Sequence, residues 1–223
     1  MRNRWYGYLT GKLSKGVDNH PISSYNIYVL VGGYNMNHLG YACINQGFST
    51  LPKSQRITTN RTMIKRTFHD RGIEYASELA LQNLRDLHTI LEWNLNNGIY
   101  FYRLSSNIIP WASEYDLVDM PNFGAIHAAA LKAGNFARKH GMRLTSHPGP
   151  FNKLASPKER VYQLTKTDLS VHGDLFDLIG LPRTPYAKLN IHVGAAYGDK
   201  PFALDNFCRN FERLPDNVRS RLT

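Results

Sequence analysis

Two histidines and one carboxylate stand near the predicted ends of β-strands. His147 closes the apolar run at 142–147, His192 lies near the end of the run at 187–193, and Glu114 follows another such run. Functional groups of parallel α/β folds collect at the carboxyl ends of their strands. Because imidazole nitrogen and carboxylate oxygen suit Mn, Zn or Fe, these three residues are candidate metal ligands. The alternative is that the strand-end histidines make structural hydrogen bonds only.

Other polar and aromatic side chains fall near the same predicted edge. Tyr41 and Asn45 lie in the first predicted strand, and alternation along the strand puts them on one face with Cys43. His172 falls on the apolar stripe of a predicted helix, which favours a buried core or supporting role. The remaining histidines from 38 onward fall on loops or helix surfaces, so we expect most of them to face solvent.

Short strands alternate with long amphipathic helices along the chain. Apolar runs predict strands at 39–45, 100–105, 142–147 and 187–193, and periodicity predicts helices at 73–96, 123–140, 156–180 and 201–213. Ser156 and Glu159 have the spacing of a capping box at the start of the third helix. This alternation indicates parallel βαβ units, in either a doubly wound sheet or a (β/α) barrel. Residues 1–37 form a separate extension with a candidate strand at 25–32.

Composition narrows the class of protein. The chain has 223 residues, 42% of them hydrophobic, and a net charge of +10 from 27 basic and 17 acidic residues. Such a chain can build a core, and its charge favours a polyanionic partner such as nucleic acid over a neutral one. Two isolated cysteines give no disulfide or zinc framework, and no apolar run of membrane-spanning length is present, so we expect an intracellular protein without a membrane partner. Nucleotide-binding glycine motifs of the Rossmann or P-loop kind do not follow the predicted strands.

Several long segments carry a resemblance to a known family. They are LGYACIN (39–45), TTNRTM (58–63), LQNLRDLHTILEWN (81–94), FYRLSSNIIPWAS (101–113), HGMRLTSHPG (140–149) and LNIHVGAAYGDK (189–200). In order and spacing these segments resemble the UV damage endonuclease family, over residues 38–223.

The resemblance implies a TIM-type (β/α) barrel that nicks DNA on the 5′ side of ultraviolet photoproducts with divalent metal ions, most commonly Mn. Residue by residue, it implies that His147 and His192 are metal ligands. It also implies that Asn45 belongs to the catalytic pocket and that Tyr41 probes the damaged bases. Damaged double-stranded DNA is the implied partner.

The resemblance further implies DNA contacts by Asn60 and Arg61 of the TTNRTM segment and by Pro150 and Phe151 after the third strand. At this last position the family usually carries glutamine followed by an aromatic residue, so the stacking ring is kept and the amide is lost. At Glu114 the family usually carries a histidine ligand. Glutamate also binds Mn, but gives a more anionic site.

The third departure concerns the extent of the barrel. Four predicted βα units make half of an eight-stranded barrel, and the later ligands of the family have no counterpart here. We therefore expect a fragment, a second polypeptide that supplies the other half, or a second copy that completes the barrel. Two other functions stay open: an inactive basic half-barrel that binds nucleic acid or serves in an assembly, and an unrelated metal-dependent sugar isomerase.

Overall fold

Three parallel strands form the centre of the fold. The computed structural model describes residues 39–194 and 196–223, so the predicted strand at 25–32 and the extension 1–37 lie outside the described residues. Strands β1 (Gly40–Ala42), β2 (Phe101–Leu104) and β3 (Arg143–Ser146) are neighbours in that order. The parallel arrangement predicted from the sequence is confirmed.

The predicted fourth strand at 187–193 is wrong as a continuous strand. Within this run only Leu189 forms β-bridges, which are isolated and parallel, to Ser146 on one side and to Leu222 on the other. The backbone of Ser146 bonds to Lys188 and Asn190 at 2.8 and 3.0 Å. Two residues after Ser146 the chain reaches Pro148, which has no N–H to continue the hydrogen bonds between β3 and the run at 187–193.

Six helices accompany the strands in the described part of the chain. Their bounds are α1 Gln46–Ser49, α2 Lys65–Asn96, α3 Phe123–Lys139, α4 Glu159–Ile179, α5 Lys200–Glu212 and α6 Asp216–Arg219. The four predicted helices correspond to α2, α3, α4 and α5. The predicted start of the first of them at 73 coincides with a kink in α2, where Gly72 takes a φ of 64°.

The predicted capping box at the start of α4 is wrong. The helix begins after Lys158, whose side chain makes no capping bond, and the Ser156 hydroxyl accepts from the backbone N–H of Lys158 at 3.2 Å. Glu159 instead pairs with Arg213, with an Nη2–Oε1 distance of 2.6 Å. This ion pair joins the start of α4 to the residue that caps α5.

The two faces of the sheet differ in what covers them. Side chains such as Tyr102, Leu104 and Leu144 are buried in a core that the helices share. Helices α3 and α4 approach closely at Gly134, where an added Cβ would lie 1.8 Å from the carbonyl oxygen of Ile179. The opposite face lines an open concavity of about 580 Å³.

Candidate active site

His147 and His192 lie side by side at the carboxyl end of the sheet. Their ring centroids are 5.0 Å apart, with His147 half-buried and His192 exposed. The Nδ1 of His147 lies 2.9 Å from the carbonyl oxygen of Pro148. Because a carbonyl oxygen only accepts, Nδ1 carries the hydrogen and Nε2 is left as a lone-pair donor. This is the arrangement that second-sphere bonds give to metal-binding histidines.

Glu114 does not join the two histidines. It is exposed, and it lines a different depression together with Lys166 and Asp174. Across residues 39–194 and 196–223, no group of three His, Cys, Asp or Glu side chains is arranged to hold a metal ion. Glu114 follows a turn in which Trp111 takes a left-handed φ of 58°. Because this turn changes the direction of the chain after β2, Glu114 does not lie beside the histidines.

Tyr41 and Asn45 belong to one hydrogen-bond network. The Tyr41 hydroxyl donates to Oδ1 of Asn94 on α2 at 2.7 Å and accepts from Nδ2 of Asn45 at 2.8 Å. Burial raises the pKa of Tyr41 above its ordinary value, although the two amide bonds act in the opposite direction. Asn45 is 5% exposed, and its Oδ1 accepts from the backbone N–H of Phe48 at the start of α1. Both side chains therefore bond within the protein.

Asn60 and Arg61 are bonded to the protein in the same way. Asn60 donates from Nδ2 to the carbonyl oxygen of Cys43 at 3.0 Å. Arg61 pairs with Asp86 of α2 at 2.6 Å and also donates to the carbonyl oxygens of Thr58 and Arg56. These bonds fix residues 43–61, which we call the β1 segment, against α2. Contacts of Asn60 and Arg61 with DNA stay a prediction.

Pro150 and Phe151 form the tip of the segment that follows β3. We call residues 147–152 the β3 loop; it begins with the candidate ligand His147. Both tip residues are exposed, and the Phe151 side chain is 88% exposed to solvent. An aromatic ring this open offers a stacking surface to a ligand.

Two adjoining depressions, the first of them lined in part by the β3 loop, contain Asp168, which was not among the candidate residues predicted from the sequence. They have volumes of about 390 and 370 Å³ and share Ser106, Asn107, Asp168 and His172. His172 is 2% exposed, which confirms its predicted burial. Burial lowers the pKa of His172, with nearby Asp168 acting in the opposite direction. The spacing of Asp168 and His172, four residues apart on a helix, was the available signal.

The open concavity is basic. Its lining includes Arg103, Arg143 and Lys188 besides the two candidate ligands, and none of the described residues that line it is Asp or Glu. The Nε of Arg103 is buried without a hydrogen-bond partner in the described part of the chain. This face therefore has the charge to receive an acidic group.

Comparisons with known proteins agree with the resemblance. The family model described as "UV-endonuclease UvdE" matches residues 37–223. The chain is 36% identical over 186 residues to the UV-damage endonuclease of Schizosaccharomyces pombe, covering 82% of this chain and 30% of the relative. It is 31% identical over 185 residues to the UV DNA damage endonuclease of Clostridium perfringens, covering 82% of this chain and 42% of the relative.

A solved structure gives the same answer for the fold. The crystal structure of SacUVDE matches with a TM-score of 0.71 and 30% identity, covering 82% of this chain and 58% of that one. The chain thus spans less than two thirds of the length of the relatives named here. Among the helices that the structure describes, none has the length and apolar character needed to cross a membrane. The chain belongs to the UV-endonuclease UvdE family.

Proposed function

We propose that this chain is the amino-terminal half of a TIM-type barrel in a DNA-repair endonuclease that nicks DNA on the 5′ side of ultraviolet photoproducts by metal-dependent hydrolysis of a phosphodiester. The observation that supports this most directly is the pairing of His147 and His192, whose rings are 5.0 Å apart at the carboxyl end of a parallel sheet. Family membership alone would also fit a relative that has lost its site. Two adjacent imidazoles, one with its Nδ1 hydrogen already engaged, are what a metal site of this kind requires.

The donor set fits a divalent ion such as Mn²⁺. His147 would bind through Nε2, because its Nδ1 is bonded to the Pro148 carbonyl at 2.9 Å, and His192 is exposed beside it. When bound, such ions polarise the phosphodiester and lower the pKa of a bound water. Two imidazoles do not fill the coordination sphere of Mn²⁺, so further ligands have to come from elsewhere. Glu114, placed in another depression, is not the third ligand in this arrangement.

Binding to damaged DNA would use charge and stacking. A net charge of +10 provides the sequence-independent attraction to phosphates. The exposed Phe151 ring would stack on bases that a photoproduct has already partly unstacked, and such contacts contribute about 1–3 kcal/mol in single-strand systems. Selection for the lesion then follows from the lower cost of opening a distorted site.

We propose that a segment of different sequence, on a continuation of this chain or on a second polypeptide, supplies the remaining half of the barrel. The support is the open concavity, whose lining presents three cations and, in the part of the chain described, no carboxylate. A second copy of this chain would set the same cations against each other, so a segment of different sequence with inward-facing carboxylates fits better. Such carboxylates would also supply the missing oxygen ligands.

A second candidate function is a binding component without catalysis. It is favoured by one observation: within residues 39–194 and 196–223, no group of three His, Cys, Asp or Glu side chains is close enough together to hold a metal ion. In that case the basic half-barrel would bind nucleic acid or serve in an assembly. A sugar isomerase has no support once the chain belongs to the UV-endonuclease family.

One experiment separates the two functions. The protein is purified from its native source with whatever chains accompany it, and a duplex carrying a single photoproduct is incubated with it in Mn²⁺ or in EDTA. A Mn²⁺-dependent nick that maps to the 5′ side of the photoproduct supports the endonuclease. An assembly that binds the duplex and leaves both strands intact in Mn²⁺ contradicts it and favours the binding component.

A further inference from the structure

One face of α4 lies under the β3 loop. Thr165, Asp168 and His172 are spaced by three and four residues, so they share this face. Each of the three contacts a different residue at or beside the loop. The contacts are Thr165 Oγ1 with the backbone N–H of Lys153 at 3.0 Å, Asp168 Oδ2 with Nδ2 of Asn152 at 2.7 Å, and His172 Nδ1 with Oγ of Ser146 at 3.3 Å.

The bond between Asp168 and Asn152 is the strongest of the three because it is short and one partner is a carboxylate. The same Nδ2 of Asn152 donates to the carbonyl oxygen of Gly149 at 2.9 Å. Since both neighbours can only accept, the amide orientation of Asn152 is fixed by chemistry. Asn152 is 6% exposed, whereas Phe151 directly before it is 88% exposed. A buried anchor therefore adjoins an exposed ring.

The β3 loop also includes the candidate metal ligand His147. His147 lies between Ser146, which contacts His172, and Gly149, which Asn152 holds. Release of Asn152 would free the backbone on both sides of Phe151 while β3 stays paired. The loop, and not the sheet, would then lose its defined conformation.

We propose that Asp168 is a positioning residue: through Asn152 it holds the β3 loop in the conformation that presents Phe151 to DNA. Loop order is a property of this chain alone, whereas the presentation of Phe151 to DNA rests on the proposed function. Asp168 does not itself contact DNA in this account. Its effect passes through the buried amide of Asn152.

Loop order can be measured without DNA by limited digestion with chymotrypsin. This protease cuts after exposed aromatic residues, and a cut after Phe151 creates a new amino terminus that begins Asn152-Lys153-Leu154. We expect Asp168→Ala to speed this cut by about tenfold, because local opening becomes easier when a charge-assisted hydrogen bond is lost. Asp168→Asn keeps an oxygen that accepts from Asn152, so its rate should stay within about threefold of the wild type.

Asp174→Ala is the matched control. It also removes an Asp–Asn hydrogen bond on α4, but its partner is Nδ2 of Asn217, at 2.8 Å, away from the β3 loop. We expect it to leave the cut after Phe151 unchanged. Equal cutting rates for Asp168→Ala, Asp174→Ala and wild type would overturn the proposal, and so would a cut in Asp168→Asn as fast as that in Asp168→Ala.

DNA binding by the native assembly supplies the second readout. Asp168→Ala should lower the preference for irradiated over intact duplex by about tenfold and change the affinity for intact duplex by less than about twofold, because phosphate contacts dominate that affinity. Asp174→Ala should keep the wild-type preference. A full preference in Asp168→Ala despite a faster cut would overturn the DNA part of the proposal. A wild-type assembly without any preference would count against the proposed function itself, and the digestion result would still decide the role of Asp168 in loop order.

Discussion

The β1 segment and the β3 loop both follow strands of one sheet, yet their side chains are used differently. In the β1 segment the polar groups of Asn45 and Arg61 bond to the protein, to α1 and α2 respectively. In the β3 loop, Asn152 bonds to Asp168 and to the carbonyl oxygen of Gly149, whereas Phe151 at the tip is 88% exposed. The first region has the organisation of a rigid support, and the second that of a presented surface. Residues that resemble family site residues thus differ in how accessible they are to a ligand.

The largest expected effect lies at the base of the β3 loop. We expect His147→Ala to weaken Mn²⁺ binding by the native assembly at least about a hundredfold, since loss of a supporting residue alone costs about 10 to 100-fold in comparable sites. Electron paramagnetic resonance of free Mn²⁺ measures this directly. His127→Ala removes an exposed histidine on α3 and should bind Mn²⁺ like the wild type. An unchanged affinity in His147→Ala would show that the β3 loop carries no metal ligand.

A second change tests the supporting role of the β1 segment. Arg61→Ala removes the ion pair with Asp86 and leaves two backbone carbonyl oxygens without their donor, so we expect the free energy of unfolding to fall by about 2 kcal/mol. Urea unfolding provides the measurement. Arg66→Ala is the control, because the Arg66 side chain is 88% exposed and lies 3.8 Å from its acidic partner. If the two variants are equally stable, Arg61 is free for another role and the contrast between the regions fails.

The tip of the β3 loop should respond in the opposite way. Phe151→Ala should leave the free energy of unfolding within about 0.5 kcal/mol of the wild type, because an exposed ring makes few packing contacts with the rest of the protein. The same change should reduce the preference for irradiated duplex by about tenfold, as expected for one lost stacking contact. Phe202→Ala, at a partly exposed ring on α5, serves as the control in both the unfolding and the competition binding experiments. A large loss of stability in Phe151→Ala would mean that the ring is structural after all.

The smallest expected effect concerns Tyr41. Tyr41→Phe removes the hydroxyl that joins Asn45 and Asn94, and we expect it to lower the free energy of unfolding by about 1 kcal/mol. Because burial raises the pKa of Tyr41 above 10.0, its effect on the free energy of unfolding of the wild type is constant below pH 10, and stability falls as the pH rises through the folded-state pKa; Tyr41→Phe should lack the part of this fall that Tyr41 causes. Unfolding measured at neutral and alkaline pH tests both statements.

Tyr41 also sharpens the comparison between the regions. The family resemblance predicts that it probes damaged bases, and Tyr41→Ala should then blunt the preference for irradiated DNA. If Tyr41→Phe keeps that preference and Tyr41→Ala loses it, the ring does the probing and the hydroxyl is structural. If Tyr41→Ala keeps full preference, Tyr41 only supports the β1 segment through its bond to Asn45.

The sequence predicted the positions of the helices better than it predicted which strands pair. Periodicity located the four long helices, and alternation of strands and helices predicted the parallel sheet. The run at 187–193 failed as a strand because pairing depends on what the neighbour offers, and β3 meets Pro148 soon after Ser146. Neither hydrophobicity nor propensity contains that information.

The part of the candidate site that could be predicted is the part whose position depends only on the topology of the sheet. His147 and His192 were expected to meet because the carboxyl ends of parallel strands share one edge, and their rings are indeed adjacent. Glu114 was placed with them on the same reasoning, but it follows an irregular turn that leads away from that edge. The contact between Asp168 and Asn152 joins a helix to a loop 16 residues earlier. No pattern of neighbouring residues in the sequence predicts it.

The most direct test of the account compares wild-type protein with His192→Ala in cleavage of a duplex that carries one photoproduct. Both proteins are purified as native assemblies and assayed with Mn²⁺, and binding to the same duplex is measured in parallel. We predict that the wild type nicks the damaged strand on the 5′ side of the photoproduct, and that His192→Ala binds with similar affinity and leaves the strand intact. Cleavage by His192→Ala at the wild-type rate would contradict the assignment of the histidine pair as the metal site.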